Sequence, residues 1–175
     1  MRKLNVYDGY KKINVWDEYV ESASGYCKSI EITVESGDCI WNQGIICMEV
    51  DVYPKHASNY AMVCVEYVPN QSDKTNIIIE YDRESVDDTI KDMMTNKKAI
   101  LGLNEEFAKN LEEFFVEYPA KRLPQGTIRI FNGAYDETGS SYVSFKSVME
   151  LIIDAFENFY NLNDDNYLKK LIEKF

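Results

Sequence analysis

Few residues in this chain have the type and spacing to do chemistry. Asp136 and Glu137 are adjacent carboxylates in the loop Gly133-Ala134-Tyr135-Asp136-Glu137-Thr138-Gly139-Ser140-Ser141. Two carboxylates can divide general-acid and general-base work when their surroundings separate their pKa values. Neighbours on a loop tip are ordinarily both solvated, which suits binding better than catalysis. A Cys–His dyad would have to use His56, the only histidine, and it follows Pro54-Lys55 in a turn, a solvent position. The cysteines Cys27, Cys39, Cys47 and Cys64 contain no Cys-x-x-Cys pair, so the closely spaced ligands of structural zinc are missing. Cys47 and Cys64 lie in apolar runs, where a reduced thiol packs as a small hydrophobe. Neither a phosphate-binding Gly-x-x-x-x-Gly-Lys-Ser/Thr segment nor a Gly-x-Ser-x-Gly elbow occurs. The expectation is a non-enzymatic protein with no cofactor and no metal.

Charge points toward binding. The 175 residues carry 30 acidic and 19 basic side chains, a net charge of −11. That field repels phosphate backbones, so free nucleic acid is disfavoured as a partner. The densest basic candidate, Lys121-Arg122 with Arg129, is thin. A protein with a basic surface is the partner expected, because complementary fields speed association. Glutamates cluster on one predicted helix, opened by Asn104. Glu105, Glu106, Glu112, Glu113 and Glu117 face Lys109 alone, while Phe107, Leu111, Phe114, Phe115 and Tyr118 form its apolar stripe. These five glutamates, with Tyr135, Asp136 and Glu137, are the predicted partner-binding residues.

The elements that must hold them follow from periodicity. Apolar content of 45% and aromatic content of 13% predict a folded globule, and the length predicts a single domain over 1–175. Residues 1–26 fit neither period cleanly and read as an irregular or short-stranded extension. Across 27–82, alternation in Ile30–Val34, Ile45–Tyr53, Tyr60–Val68 and Asn76–Tyr81 predicts an antiparallel meander, with Glu49 and Asp51 on the polar face. Over 83–160 the period becomes helical. Ser85-Val86-Asp87-Asp88 is an N-cap signal, the helix at Asn104 follows, and Thr127–Phe131 is a strand. The Gly133–Ser141 loop comes next: Gly133 and Gly139 permit positive φ at two bends, and Ser140 or Ser141 caps a helix bearing Phe145, Val148, Met149, Ile152 and Phe156. A short helix over 163–175 carries Tyr167, Leu168, Leu171 and Ile172. The fold class is α+β, an antiparallel sheet of about four to five strands covered by helices. Met1-Arg2-Lys3 begins with charge but leads into no apolar h-region, and no apolar run reaches the roughly 18 to 20 residues of a membrane span, so a cytoplasmic location is expected.

The stretch from Ile100 to Phe156 resembles domain IV of elongation factor G and related ribosomal translocases. Gly133, Tyr135, Ser140, Ser141 and Phe145 fall in register with that family's strand–loop–helix signature; Asp136 and Gly139 replace its His and Asp. Ile100-Leu101-Gly102-Leu103-Asn104-Glu105-Glu106-Phe107 stands where a family helix begins, and Glu117-Tyr118-Pro119 where it turns to the next strand. The resemblance implies a split β–α–β core, a stand-alone module without its GTPase, and a ribosomal partner. A second class fits the same composition: an acidic immunity or antitoxin-type protein that neutralises a basic toxin domain.

Overall fold

In the computed structural model the described residues are 3–8, 10–17, 27–52, 59–83, 91–92 and 94–174. His56 and the N-cap signal at Ser85-Val86-Asp87-Asp88 lie outside them. The fold is α+β: one mixed sheet with the three described α-helices on one face. The strands are β1 (Lys3–Asp8), β2 (Lys11–Trp16), β3 (Lys28–Glu35), β4 (Gly44–Val52), β5 (Asn59–Val68), β6 (Lys74–Tyr81), β7 (Ile100–Leu101) and β8 (Gly126–Tyr135). The helices are α1 (Glu105–Glu117), α2 (Tyr142–Glu157) and α3 (Asp165–Glu173). Strand order is β1-β2-β4-β5-β8-β6-β3, with the short β7 paired to the end of β8.

This order departs from a four- to five-strand antiparallel meander in three ways. β1 and β2 form an antiparallel pair that extends the sheet through the β2–β4 pairing, so these described parts of the N-terminal segment belong to the sheet rather than lying over it. β3 pairs with β6, not with its sequence neighbour β4. β8 inserts between β5 and β6, antiparallel to the first and parallel to the second. Because β6 and β8 are bonded directly, the β–α–β unit through α1 has adjacent parallel strands; no strand splits it.

Burial follows position. β5, flanked by β4 and β8, is buried on both faces from Tyr60 to Val65, as expected of a central strand. On the helix face Ile13, Val15, Ile46, Met48, Val50, Ala61, Val63, Val65, Ile77, Ile79, Ile128 and Ile130 join the helix stripes in the main core. The helices divide this face: α1 lies over β3 and β6, α2 over β4 and β5, and α3 over β1 and β2. Trp41 stacks on Phe156 at 5.0 Å between ring centres, and Tyr67 meets both edge-on at 5.5 and 6.2 Å. The far face has its own smaller core of Trp16, Cys47, Tyr60, Met62, Cys64, Phe131 and Ala134 beneath Met94 and Ala99. A bulge lets both Phe131 and Asn132 serve that face: β5 residues 64 and 65 pair with 132 and 130, leaving Phe131 unpaired. Among the described residues no helix is long and apolar enough to cross a membrane.

Candidate functional site

α1 is held by both ends of its stripe. The Asn104 side chain accepts from the Phe107 amide at 2.9 Å, satisfying a first-turn donor. Phe107, Ala108, Leu111, Phe114 and Phe115 are buried against the sheet and α2. The opposite face exposes Glu105, Glu106, Lys109, Glu113, Val116 and Glu117, with Glu112 half-buried. Glu105 and Lys109 form an (i, i+4) ion pair at 2.7 Å. That hydrogen bond and charge lower the Glu105 pKa and raise that of Lys109, though at full exposure the pair adds little stability. Glu112, Glu113 and Glu117 have no cation within ion-pair distance among the described residues. Glu117 also lies in the last turn, where the helix dipole opposes it and no basic residue answers. Val116, 65% exposed, sits between Glu113 and Glu117.

The loop expected to form a tip is folded down. Ser140 Oγ donates to the Tyr60 carbonyl at 2.7 Å and accepts the Asp136 amide at 2.8 Å; the Gly139 carbonyl accepts the Tyr60 amide at 3.0 Å. The Asp136 carboxylate accepts from Asn96 Nδ2 (3.0 Å), the Thr138 amide and hydroxyl (2.9 and 2.8 Å) and the Gly139 amide (3.1 Å). These bonds, Asn96 first, hold its pKa below the ordinary value. The Tyr135 ring lies 5.3 Å from that of Phe107 and is half-buried, so Glu137 alone of the three is exposed. Ser141 is the helix cap, in a reciprocal box with Ser144. Neither glycine takes positive φ. Gly133 is instead inside β8, where a Cβ would lie 2.6 Å from Leu103 Cδ2 and 2.8 Å from the Met62 carbonyl. The loop therefore lies at the end of α1 that carries Glu105 and Glu106, away from Glu117. Tyr135 meets the N-terminal turn of α1, whereas Glu117 is about 15 Å further along the helix.

At that far end α1, α2 and the C-terminal segment enclose an open cleft of about 420 Å³, walled by Phe114, Tyr118, Tyr142 and Leu151 and rimmed by Glu117, Glu150 and Lys146. Its floor is a closed ionic network. Arg122 donates to Glu157 through Nε (3.1 Å) and Nη2 (2.7 Å), to Asp154 (2.5 Å) and to the Tyr118 hydroxyl (2.9 Å). Lys174 holds the other Asp154 oxygen at 2.6 Å. Burial raises the Asp154 pKa, but Lys174 and Arg122 outweigh it and the net shift is downward. Burial pushes the Tyr118 phenol up to about 12. Arg129 lies on the opposite face of the sheet, bonded to Glu80 (2.6 Å) and Glu66 (3.2 Å). The basic residues singled out in the sequence are thus separated, and both arginines sit between carboxylates.

A polar cluster on the far face was not legible. Glu49 and Asp51, expected in solvent, are each 1% exposed. Glu49 accepts from Asn14 Nδ2 (2.5 Å), Tyr60 Oη (3.2 Å) and the amides of Thr95 (2.8 Å) and Asn96 (3.1 Å). Burial first, then the Glu49 charge, carries the Tyr60 phenol far above its ordinary range. The segment that covers Glu49, Thr95-Asn96-Lys97-Lys98, is polar and gives no sequence sign of being a lid. Accepting the Thr95 and Asn96 amides, the Glu49 carboxylate anchors that lid. Among the described residues no group of three or more His, Cys, Asp or Glu is placed to hold a metal.

No family model, curated protein or solved structure matches this chain.

Proposed function

We propose that this protein works by binding a protein partner with a basic surface, through the outer face of α1 and the cleft at its C-terminal end. The observation that carries this reading is the run of unneutralised Glu113 and Glu117 around exposed Val116. Acidic residues about an apolar contact fit an interface better than a face kept only for solubility, since mutual repulsion and the helix dipole both act against them. Aromatic walls in the adjoining cleft supply the kind of desolvated pocket in which a partner side chain gains most.

Of the two partner classes, the folded-down loop favours a basic protein such as a toxin domain over the ribosome. A ribosome-inserting tip needs side chains free to make contacts, and Asp136 spends its carboxylate on its own loop and on Asn96. Affinity capture from the native host, with wild type beside a Glu113→Lys/Glu117→Lys variant, tests the reading. A basic protein retained by wild type at low ionic strength and lost by the variant supports it. Identical captures from both would remove the α1 face from consideration. Ribosome co-sedimentation at low and moderate salt tests the translation class; pelleting with ribosomes under both conditions would restore it.

A further inference from the structure

β4 and β5 place two thiols directly opposite each other on the face of the sheet away from the helices. Cys47 and Cys64 are antiparallel cross-strand partners, 1% and 0% exposed. Directly opposed residues have Cα atoms about 4.5–5.5 Å apart, inside the roughly 4.4–6.8 Å that a disulfide spans. Their Cβ atoms, about 4.5–5.5 Å apart in such a pair, need approach by roughly 1–2 Å at most to reach the ~3.5–4.5 Å of a disulfide. The bulge between β5 and β8 begins at Cys64, where the strand is already locally twisted. Cys27 and Cys39 lie elsewhere, half-exposed and unpaired with either thiol.

We propose that Cys47 and Cys64 form an oxidisable dithiol whose co-substrate is a small-molecule disulfide of the glutathione type. One protein thiolate attacks the small disulfide, forming a mixed disulfide and expelling one small thiolate. The second protein thiolate then displaces the other, leaving a Cys47–Cys64 bond. Two protein thiols lose two electrons and two protons, and the small disulfide gains both to become two thiols. Burial pushes the Cys47 thiol up, so the reaction runs through openings of the cover formed by Met94, Ala99 and Leu101. The product joins strands that are already paired, so the sheet accommodates it without changing register.

The folded protein is incubated with oxidised and reduced glutathione at graded ratios, quenched with acid, then unfolded and alkylated. Mass spectrometry should show loss of two alkylation equivalents, mapped to one linked pair of peptides carrying Cys47 and Cys64 and reversed by excess reduced glutathione. A Cys64→Ser variant, close in volume, should lose this product and carry at most a mixed disulfide on Cys47. Two outcomes overturn the proposal. In one, Cys47 and Cys64 stay fully alkylatable while Cys27 and Cys39 react. In the other, either thiol is linked to Cys27 or Cys39 instead.

Discussion

At the scale of single residues, the Glu49 carboxylate is buried and accepts from four groups. Replacing it with Gln turns an acceptor of two backbone amides into a group that must aim an amide at one of them. The loss of a buried, charge-assisted bond costs about 2–3 kcal/mol. Urea unfolding of Glu49→Gln should show that loss, and limited proteolysis should cut first near Thr95-Asn96-Lys97; unaltered cleavage would mean the lid is anchored elsewhere. Asp136 gives a pH signature. Its folded pKa lies below the ordinary 3.8, so its stabilisation is complete above that value and disappears as pH falls through the lower, folded one. Asp136→Asn should therefore lower stability at neutral pH and narrow its gap to wild type below about pH 4. A gap independent of pH would mean that shape, not charge, is what the loop needs. Neither role could be read from sequence, where Glu49 occupies the polar phase of an alternating strand and Asp136 an apparent loop tip.

At the scale of elements, the helices were the most legible part. The stripe from Phe107 to Tyr118, the run from Phe145 to Phe156 and the Tyr167–Ile172 pattern each repeat at the helical period, and α1, α2 and α3 lie there. The outer face of α1 was legible for the same reason. Its C-terminal glutamates oppose the helix dipole, so Glu113→Lys/Glu117→Lys should raise Tm by about 1–3 °C while weakening partner association. A lower Tm would show that these carboxylates stabilise the fold and have no need of a partner. Gly133 was read for the wrong property. Periodicity reports a glycine's place in a motif but not what crosses over it, and here Leu103 and the Met62 carbonyl leave no room for Cβ. Gly133→Ala should cost about 1–3 kcal/mol through overpacking, measurable as a lower urea midpoint with unchanged m-value.

At the scale of the whole molecule, the strands between Ile30 and Phe131 were visible, but β1, β2, β7 and the pairing were not. Alternation says that Ile30, Ile32 and Val34 share a face; it does not say that their partner strand is β6 rather than β4. The decisive element is β8, which arrives last among the strands and occupies an interior place between β5 and β6. Its neighbours β5 and β6 are consecutive in sequence yet bond to opposite sides of it. Without β8 the sheet separates into β1-β2-β4-β5 and β6-β3, and α2, which covers β4 and β5, is removed with everything beyond it. The core should therefore form only when the chain is complete through α2, because neither sheet fragment can bury both faces of its inner edge. A fragment ending at Gln125 is expected to lack near-UV circular dichroism and a cooperative urea transition, and to regain both when residues 126–175 are supplied in trans. Cooperative unfolding of the shorter fragment alone would show that β5 and β6 can pair without the strand between them, and that the central position of β8 is not what completes the fold.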